Sequence, residues 1–210
     1  MRRQASVAVN AVNSLDSIRA SVLAVPNVLQ AYVVDNSTNA TVNYGATSYP
    51  LAAHSICVSV AGGSSSAIAT AIWNKKPPGC GYNGNTTVTV YDNTYSTPIP
   101  YTVTYLTPTS TPAYFTVNIQ NNPLLPSNIT QLVQNAVLAS FNGQDGGSAV
   151  GINSTTYSGR YYANINAISP AVNVIEVYLG LSASPSTLLI AFGIDQLPTL
   201  SASNIAVVLV

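Results

Sequence analysis

The side chains that could catalyse a reaction are few and lie far apart in the sequence. His54 is the only histidine, and it stands beside Ser55 at the expected start of a strand. A hydrolytic site needs a nucleophile, a base and a group that orients the base. A lone histidine at a strand end is more typical of a polar strand-end residue.

The acidic residues offer no local pair for acid–base catalysis. They are Asp16, Asp35, Asp92, Asp145, Glu176 and Asp195. No two of them have the three- or four-residue spacing that brings side chains together on a helix, although pairing over long range stays open. We therefore predict no catalytic residue and no enzymatic activity.

Two glycine-containing loops resemble ligand sites only superficially. Asp145 in Asp-Gly-Gly stands alone, whereas a calcium loop needs repeated acidic ligands at fixed spacing. The loop Gly79–Gly84 lacks the following Lys-Ser/Thr of a phosphate loop and precedes a strand instead of a helix.

Cys57 and Cys80 lack the C-x-x-C spacing, so isolated thiols are favoured over a disulfide or a metal ligand. The sequence predicts neither a cofactor nor a metal.

The chain carries very little charge. Six basic and six acidic residues give a net charge of zero, and charged residues make up 6% of the chain, against roughly 25% in ordinary globular proteins. With no basic patch, nucleic-acid binding is not supported, and no apolar run approaches the roughly 20 residues of a membrane span, so we expect no membrane insertion. Such a surface favours packing against other chains. The start of the chain lacks the pattern of a secretory signal.

Hydrophobic periodicity predicts the elements that position these residues. The first half, residues 1–107, reads as an amphipathic helix over Ala5–Val25, an inner strand over Val28–Asp35, a strand over Ser55–Ala61, a helix over residues 64–76 and a hairpin over residues 86–107. A short hairpin around Gly45 is also indicated.

The second half, residues 113–210, follows a predicted linker. Residues 108–112 place two prolines around small hydroxyl residues, which is typical of an extended crossing with few contacts. A strand over Tyr114–Gln120, a helix capped by Ser127, a helix over Thr155–Ile168 and strands over residues 173–180, 188–193 and 204–210 complete the prediction.

The two halves share a short sequence echo. Val28 to Val33, Val-Leu-Gln-Ala-Tyr-Val, resembles Val174 to Leu179, Val-Ile-Glu-Val-Tyr-Leu, and each follows an amphipathic helix, a proline and an asparagine. Any helix-to-strand joint could produce such an echo. In either case the pattern predicts an α+β fold of two small two-layer units, with helices on mostly antiparallel sheets and a ferredoxin-like arrangement as the candidate for each.

The stretch Ile68–Asp92 organises the first half. It reads as a helix, a stop at Pro77-Pro78, a glycine-rich connection and the strand Thr86–Asp92. Ile-Trp-x-Lys-Lys-Pro-x-Gly, a short loop and Gly-Asn-Thr-x-Val-x-Val-x-Asp follow each other in order. This set resembles the baseplate J-like proteins of contractile phage tails, as do the flanking segments Val58–Gly63 and Leu197–Val207.

The resemblance covers nearly the whole chain but corresponds to the C-terminal part of the usual longer family member. It implies a structural wedge subunit of the tail baseplate, assembled in the host bacterial cytoplasm and resident in the virion. The implied partners are other copies of the chain, the hub and small wedge subunits. None of these 210 residues corresponds to the family's longer N-terminal portion, so the resemblance implies a reduced member of the family, a split gene product or a truncated version. On this low-charge surface the connection after the helix is the candidate for contacts. Its residues are Lys75, Lys76, Pro77, Pro78, Gly79, Tyr82 and Asn83.

An exported or surface-exposed adhesion or binding module is the alternative that composition leaves open. Such modules share the bias toward Ser, Thr, Asn and Tyr. An export signal on the gene and a bond between Cys57 and Cys80 would distinguish this alternative from a baseplate subunit.

Overall fold

The computed structural model describes residues 14–210 and confirms the mixed α+β class. The described helices are α1 (Leu15–Leu23), α2 (Ser65–Trp73), α3 (Ile129–Phe141) and α4 (Gly159–Asn166), with a 3₁₀ turn over Ala202–Asn204. The strands of the first half are β1 (Val28–Asn36), β2 (Val42–Tyr44), β3 (Tyr49–Leu51), β4 (Ser55–Gly62), β5 (Gly81–Asn83), β6 (Thr86–Asp92) and β7 (Ile99–Tyr105). Those of the second half are β8 (Thr109–Pro112), β9 (Tyr114–Ile119), β10 (Thr155–Tyr157), β11 (Val174–Gly180), β12 (Leu189–Ala191), β13 (Gln196–Thr199) and β14 (Ile205–Leu209).

The chain divides into two compact units. The first contains the residues up to Thr109 together with Gly193–Asp195, and the second contains Ser110–Phe192 and Gln196–Val210. Residues 108–112, expected to form a linker with few contacts, instead contain β8, which pairs with β13. Threonines and an edge proline are compatible with a short strand, so composition alone did not separate the two outcomes.

The first unit is built around β4, the middle strand of the sheet β1-β4-β5. β4 runs antiparallel to β1 and parallel to β5, and all its residues except Gly62 are buried. On one face, Ile56, Val58 and Val60 pack in a core with Ile68 and Ile72 of α2 and with the apolar side of α1. The short β4–α2–β5 crossover thus places the connection after α2 at one end of this sheet.

Helix α1 begins with a capping box, in which Ser14 and Ser17 exchange side-chain and backbone hydrogen bonds. Ile18 and Val22, from the predicted apolar stripe, are fully buried. The predicted helix over Ala5–Val25 lies partly outside the described residues, and its described part ends at Leu23.

The prediction that Val28–Asp35 forms an inner strand was wrong, because β1 lies at the edge of its sheet. Its second apolar face has another cause. Tyr32 and Val34 pack on a small separate cluster that includes Leu51, Cys57 and Ile194. The β2–β3 hairpin and Gly193–Asp195 therefore cover an edge strand on the face away from the helices.

The second unit has a sheet in the order β11-β9-β14. The middle strand β9 is antiparallel to β11 and parallel to β14, so its neighbours repeat the arrangement around β4. Its core contains an aromatic group in which Phe115 meets Tyr161 edge-on at 4.9 Å and Phe141 edge-on at 6.4 Å. Each main sheet has three strands with one parallel pair, and thus differs from the four antiparallel strands of a ferredoxin-like unit.

The predicted helix over Thr155–Ile168 begins later than expected. Thr155–Tyr157 forms β10 and pairs with β12, and α4 starts only at Gly159. Two β-branched residues followed by an aromatic residue favour a strand. The buried hydrogen bond of 2.8 Å between the Thr156 and Tyr161 hydroxyls joins the strand to the helix. Similarly, the helix expected to be capped by Ser127 has Asn128 at its N-cap position, without a side-chain capping bond.

None of the described helices has both the length and the apolar character needed to cross a membrane.

Candidate interaction surface

The residues of the connection after α2 determine where this helix ends. The N–H groups of Lys75 and Lys76 both donate to the Ile72 carbonyl, and Pro77 and Pro78 follow. Gly79 then adopts a φ of +77°, and a Cβ atom there would meet no other atom within 4 Å. Pro78 and Gly79 are exposed, so the tip of this connection is accessible to a partner.

Lys76 and Tyr82 are held together across this connection. The Lys76 ammonium lies 4.6 Å from the centre of the Tyr82 ring, a cation–π contact, and it also donates to the Pro77 carbonyl at 3.3 Å. Burial raises the pKa of Tyr82 to about 12, with a smaller contribution from Cys80. At neutral pH this part of the surface therefore presents the Lys76 ammonium against the uncharged ring of Tyr82.

Asn83 supports the connection from inside. Its side-chain oxygen accepts from the Ala52 N–H at 3.0 Å, and its amide nitrogen donates to the Ser55 hydroxyl and, at 3.4 Å, to the Ile56 carbonyl. These contacts fix β5 against the start of β4. Of the predicted contact residues, Asn83 therefore forms hydrogen bonds within the protein, while Pro78 and Gly79 are exposed.

A cavity of about 490 Å³ opens beside the connection. Pro77 and Cys80 line it together with Ile18, Asp35 and His54. His54 has a φ of +50°, and its Nε2 shares a hydrogen bond of 2.7 Å with the Asn39 side-chain oxygen. Among residues 14–210, no group of three or more His, Cys, Asp or Glu side chains is arranged to hold a metal ion.

The two thiols of the unit are free, and burial raises the pKa of each. For Cys80, Lys76 opposes the effect of burial and Asp35 adds to it. For Cys57, burial and the Asp195 carboxylate raise the pKa to about 12. Both groups are therefore neutral thiols near pH 7. They are not in the thiolate form, which is the form that acts as a nucleophile or binds metals.

The β6–β7 hairpin adds an uncharged face next to the connection. On its inner side, Tyr101 rests on Trp73 at a ring distance of 5.4 Å, and Trp73 is half-buried against the core. On its outer side, the Thr87 and Thr104 hydroxyls lie 3.0 Å apart, and Thr89 stands opposite Thr102. The exposed Tyr91 extends this face.

The second unit exposes large apolar side chains that the sequence did not single out. Tyr157 and Leu189 stand opposite each other on the short β10–β12 pair, and both are exposed. Val208 and Leu209 are exposed on β14. An uninterrupted run of uncharged residues from Ile205 to Val210 is the signal that could have identified β14 as an apolar sheet edge.

The comparisons with known proteins add no relative. No protein-family model matches this chain, and no curated protein is detectably similar to it in sequence.

Proposed function

We propose that this chain is a structural subunit of a contractile-tail baseplate and works through contacts with other proteins. The observation that carries the proposal is the exposure of large apolar and aromatic side chains on both units of a chain in which only 6% of residues are charged. A surface that presents apolar anchors with little charge between them is suited to permanent packing against other chains.

The baseplate assignment rests on the resemblance to the baseplate J-like family, and its landmarks fall at structural joints. The glycines of Val58–Gly63 end β4 with φ values of +80° and +79°, and the Lys-Lys-Pro segment ends α2. Leu197–Ser201 covers most of β13, and the Ile205–Val207 segment begins β14. Residues that define joints of the backbone are the ones on which a shared fold depends, which supports reading them as family features.

The partners are other copies of the chain, the central hub and small wedge subunits. The surface around Pro78, Gly79 and Tyr82 is one contact region, since it combines an accessible tip with the cation–π pair of Lys76 and Tyr82. The mechanism is mechanical: alternative contacts of similar free energy are rebalanced when the tail meets its host. The protein is assembled in the host cytoplasm and functions in the virion.

Cryo-electron microscopy of the particle or extract that contains the protein tests this proposal. We expect density for both units in a ring at the end of a contractile sheath. Finding the chain as a free monomer, or on a cell envelope with no tail nearby, would overturn the baseplate assignment and favour the adhesion or binding module.

A matched set of three variants refines the test. Pro78→Glu and Gly79→Asp place charge on the exposed tip, and Thr89→Glu places the same charge on the outer face of the neighbouring hairpin. If the tip is a contact region, the first two variants reduce incorporation into the ring more than the third does, with the soluble protein folded in every case. Equal incorporation of all three variants would exclude the tip from the interface.

A further inference from the structure

The outer edge of β14 carries backbone groups without a partner among the described residues. Among the strands of residues 14–210, β14 pairs with β9 on one side only, and the sheet ends there. The Val210 N–H donates to the Ile119 carbonyl, and the Val210 carbonyl accepts from the Asn121 N–H, so both groups of Val210 point toward β9. Because the direction of hydrogen bonding alternates along a strand, the N–H and C=O groups of Val207 and Leu209 point to the open edge.

The backbone N–H and carbonyl of Ile205 also point to the open edge, but both already form hydrogen bonds within the chain. Its N–H donates to the Ala202 carbonyl, and its carbonyl accepts from the Gln134 side chain at 3.1 Å. The available edge is thereby limited to two residues, Val207 and Leu209, with four backbone groups between them. No residue from Ile205 to Val210 is charged, and no proline interrupts the edge, so the usual protections of an edge strand are missing.

We propose that β14 pairs antiparallel with β14 of a second copy of this chain, about a two-fold axis at Val208. In this register Val207 faces Leu209 of the second copy and Leu209 faces its Val207. Each of these pairs exchanges two hydrogen bonds, so all four open groups of both copies are used. The two sheets join into one sheet of six strands, β11-β9-β14-β14-β9-β11.

The capping of Ile205 selects this register over its neighbour. An axis at Val207 would place Leu209 opposite Ile205, whose N–H and carbonyl are occupied, and the groups of Leu209 would stay unpaired. The axis at Val208 also matches the side chains. Val208 meets Val208 on the exposed face and Val207 meets Leu209 on the other, and apolar cross-strand pairs of this kind stabilise a sheet.

A second copy is the occupant that fits best because the strand is complementary to itself. Antiparallel pairing of an uncharged aliphatic strand with its own copy brings no like charges together and leaves no polar side chain opposite an apolar one. This contact names one partner of the assembly subunit proposed above, and in its biological role it rests on that proposal.

Charge substitutions at the axis test the pairing with the purified 210-residue chain. By sedimentation, we expect the unchanged protein to be a dimer and Val208→Lys and Val208→Glu to be monomers, since each variant sets like charges directly opposite each other. An equimolar mixture of the two variants should form dimers again. Ile175→Lys, on β11 at the opposite edge of the same sheet, is the matched control and should stay dimeric.

Cysteine cross-linking tests the register. Residues at a non-hydrogen-bonded antiparallel position have Cα atoms about 4.5 Å apart, within the range that a disulfide spans. Val208→Cys should therefore cross-link rapidly between copies under mild oxidation. Ala206→Cys lies opposite Val210 of the second copy, roughly 14 Å from its own counterpart at a rise of about 3.4 Å per residue, and should not.

Each outcome decides the pairing separately from the baseplate proposal. A monomeric unchanged protein, a dimer that Val208→Lys leaves intact, or equal cross-linking at positions 206 and 208 would overturn the β14 contact. The location of the chain in the particle would still decide the baseplate assignment. A dimer that depends on the charge at position 208, in a protein located outside any tail, would support the β14 contact and overturn the baseplate assignment.

Discussion

Leu29 and Ile175 occupy the same position in two different sheets, and each is the extra residue of a β-bulge. In the first unit Val28 pairs with Gly62 and Gln30 with Ala61, so Leu29 is left without a partner. In the second unit Val174 pairs with Ile119 and Glu176 with Asn118, which leaves Ile175 over. Both side chains are exposed, at 74% for Leu29 and 47% for Ile175. The sequence echo between the halves therefore corresponds to a repeated backbone feature at the second residue of an edge strand.

Because both bulge residues are exposed, their replacement should affect assembly more than folding. We expect Leu29→Gln and Ile175→Gln to change the free energy of unfolding by less than about 0.5 kcal/mol, as surface substitutions usually do. If these positions contact other subunits, the same variants should enter the assembled particle less efficiently. Urea unfolding and quantification of the incorporated protein measure the two effects. Ala31→Gln, at a buried position of β1, is the comparison that should unfold more easily.

Alanine substitutions at Gly62 and Gly79 allow the cost of backbone strain to be distinguished from the cost of steric crowding. Their φ values are +80° and +77°, so alanine is strained at either position by about 1–2 kcal/mol. At Gly79 a Cβ would meet nothing within 4 Å, whereas at Gly62 it would overlap the Asn27 carbonyl oxygen. Gly62→Ala should therefore destabilise the protein clearly more than Gly79→Ala in denaturant unfolding. Equal losses would show that the turn between Asn27 and Leu29 moves away at little cost.

Asn83 should contribute to stability although it lies in the predicted contact region. Asn83→Ala removes the acceptor of the Ala52 N–H and the donor to the Ser55 hydroxyl. Each lost hydrogen bond costs about 0.5–1.5 kcal/mol, and the bond to Ser55 is partly buried whereas the bond from Ala52 is exposed to water. Pro78→Ala, at an exposed position of the same connection, is the control and should be nearly neutral. If thermal unfolding shows the same midpoint for both variants, the Asn83 contacts do not stabilise β5.

Cys57 should make the protein sensitive to alkaline pH. In the unfolded chain a thiol ionises with a pKa near 9.0, whereas burial and Asp195 raise the pKa of Cys57 in the folded protein to about 12. Between these values the folded state keeps a proton that the unfolded state has lost. The contribution of Cys57 to stability is therefore complete below pH 9 and falls as the pH rises toward 12, by at most about 1.4 kcal/mol per pH unit.

Cys57→Ala isolates this contribution. The slope of unfolding free energy against pH, measured by urea titration from pH 8 to 10.5, should be less negative in the variant than in the unchanged protein. Tyr82, whose pKa burial also raises to about 12, acts in the same direction in both proteins and so leaves the difference unaffected. Identical slopes would show that Cys57 ionises in the folded state as easily as in the unfolded chain.

The sequence by itself determined the features that depend on local periodicity. The apolar spacing of Ile68 and Ile72 identified a helix, the prolines at 77 and 78 identified its end, and the alternation in Thr86–Asp92 identified a strand, because these signals act within a few residues. The same reasoning marked Pro78 and Gly79 as part of an accessible connection. It also found the echo between the strands that begin at Val28 and Val174.

Only the tertiary structure decided which elements are neighbours and therefore which groups are left over. β1 has two apolar faces yet lies at a sheet edge, because distant residues such as Ile194 cover its second face. Asn83 points inward because β4 lies beside it, and the open groups of Val207 and Leu209 follow from pairing with β9 on one side alone. Hydrogen bonds between strands join residues that are far apart in the chain, and the local pattern of a strand does not specify which partner supplies them.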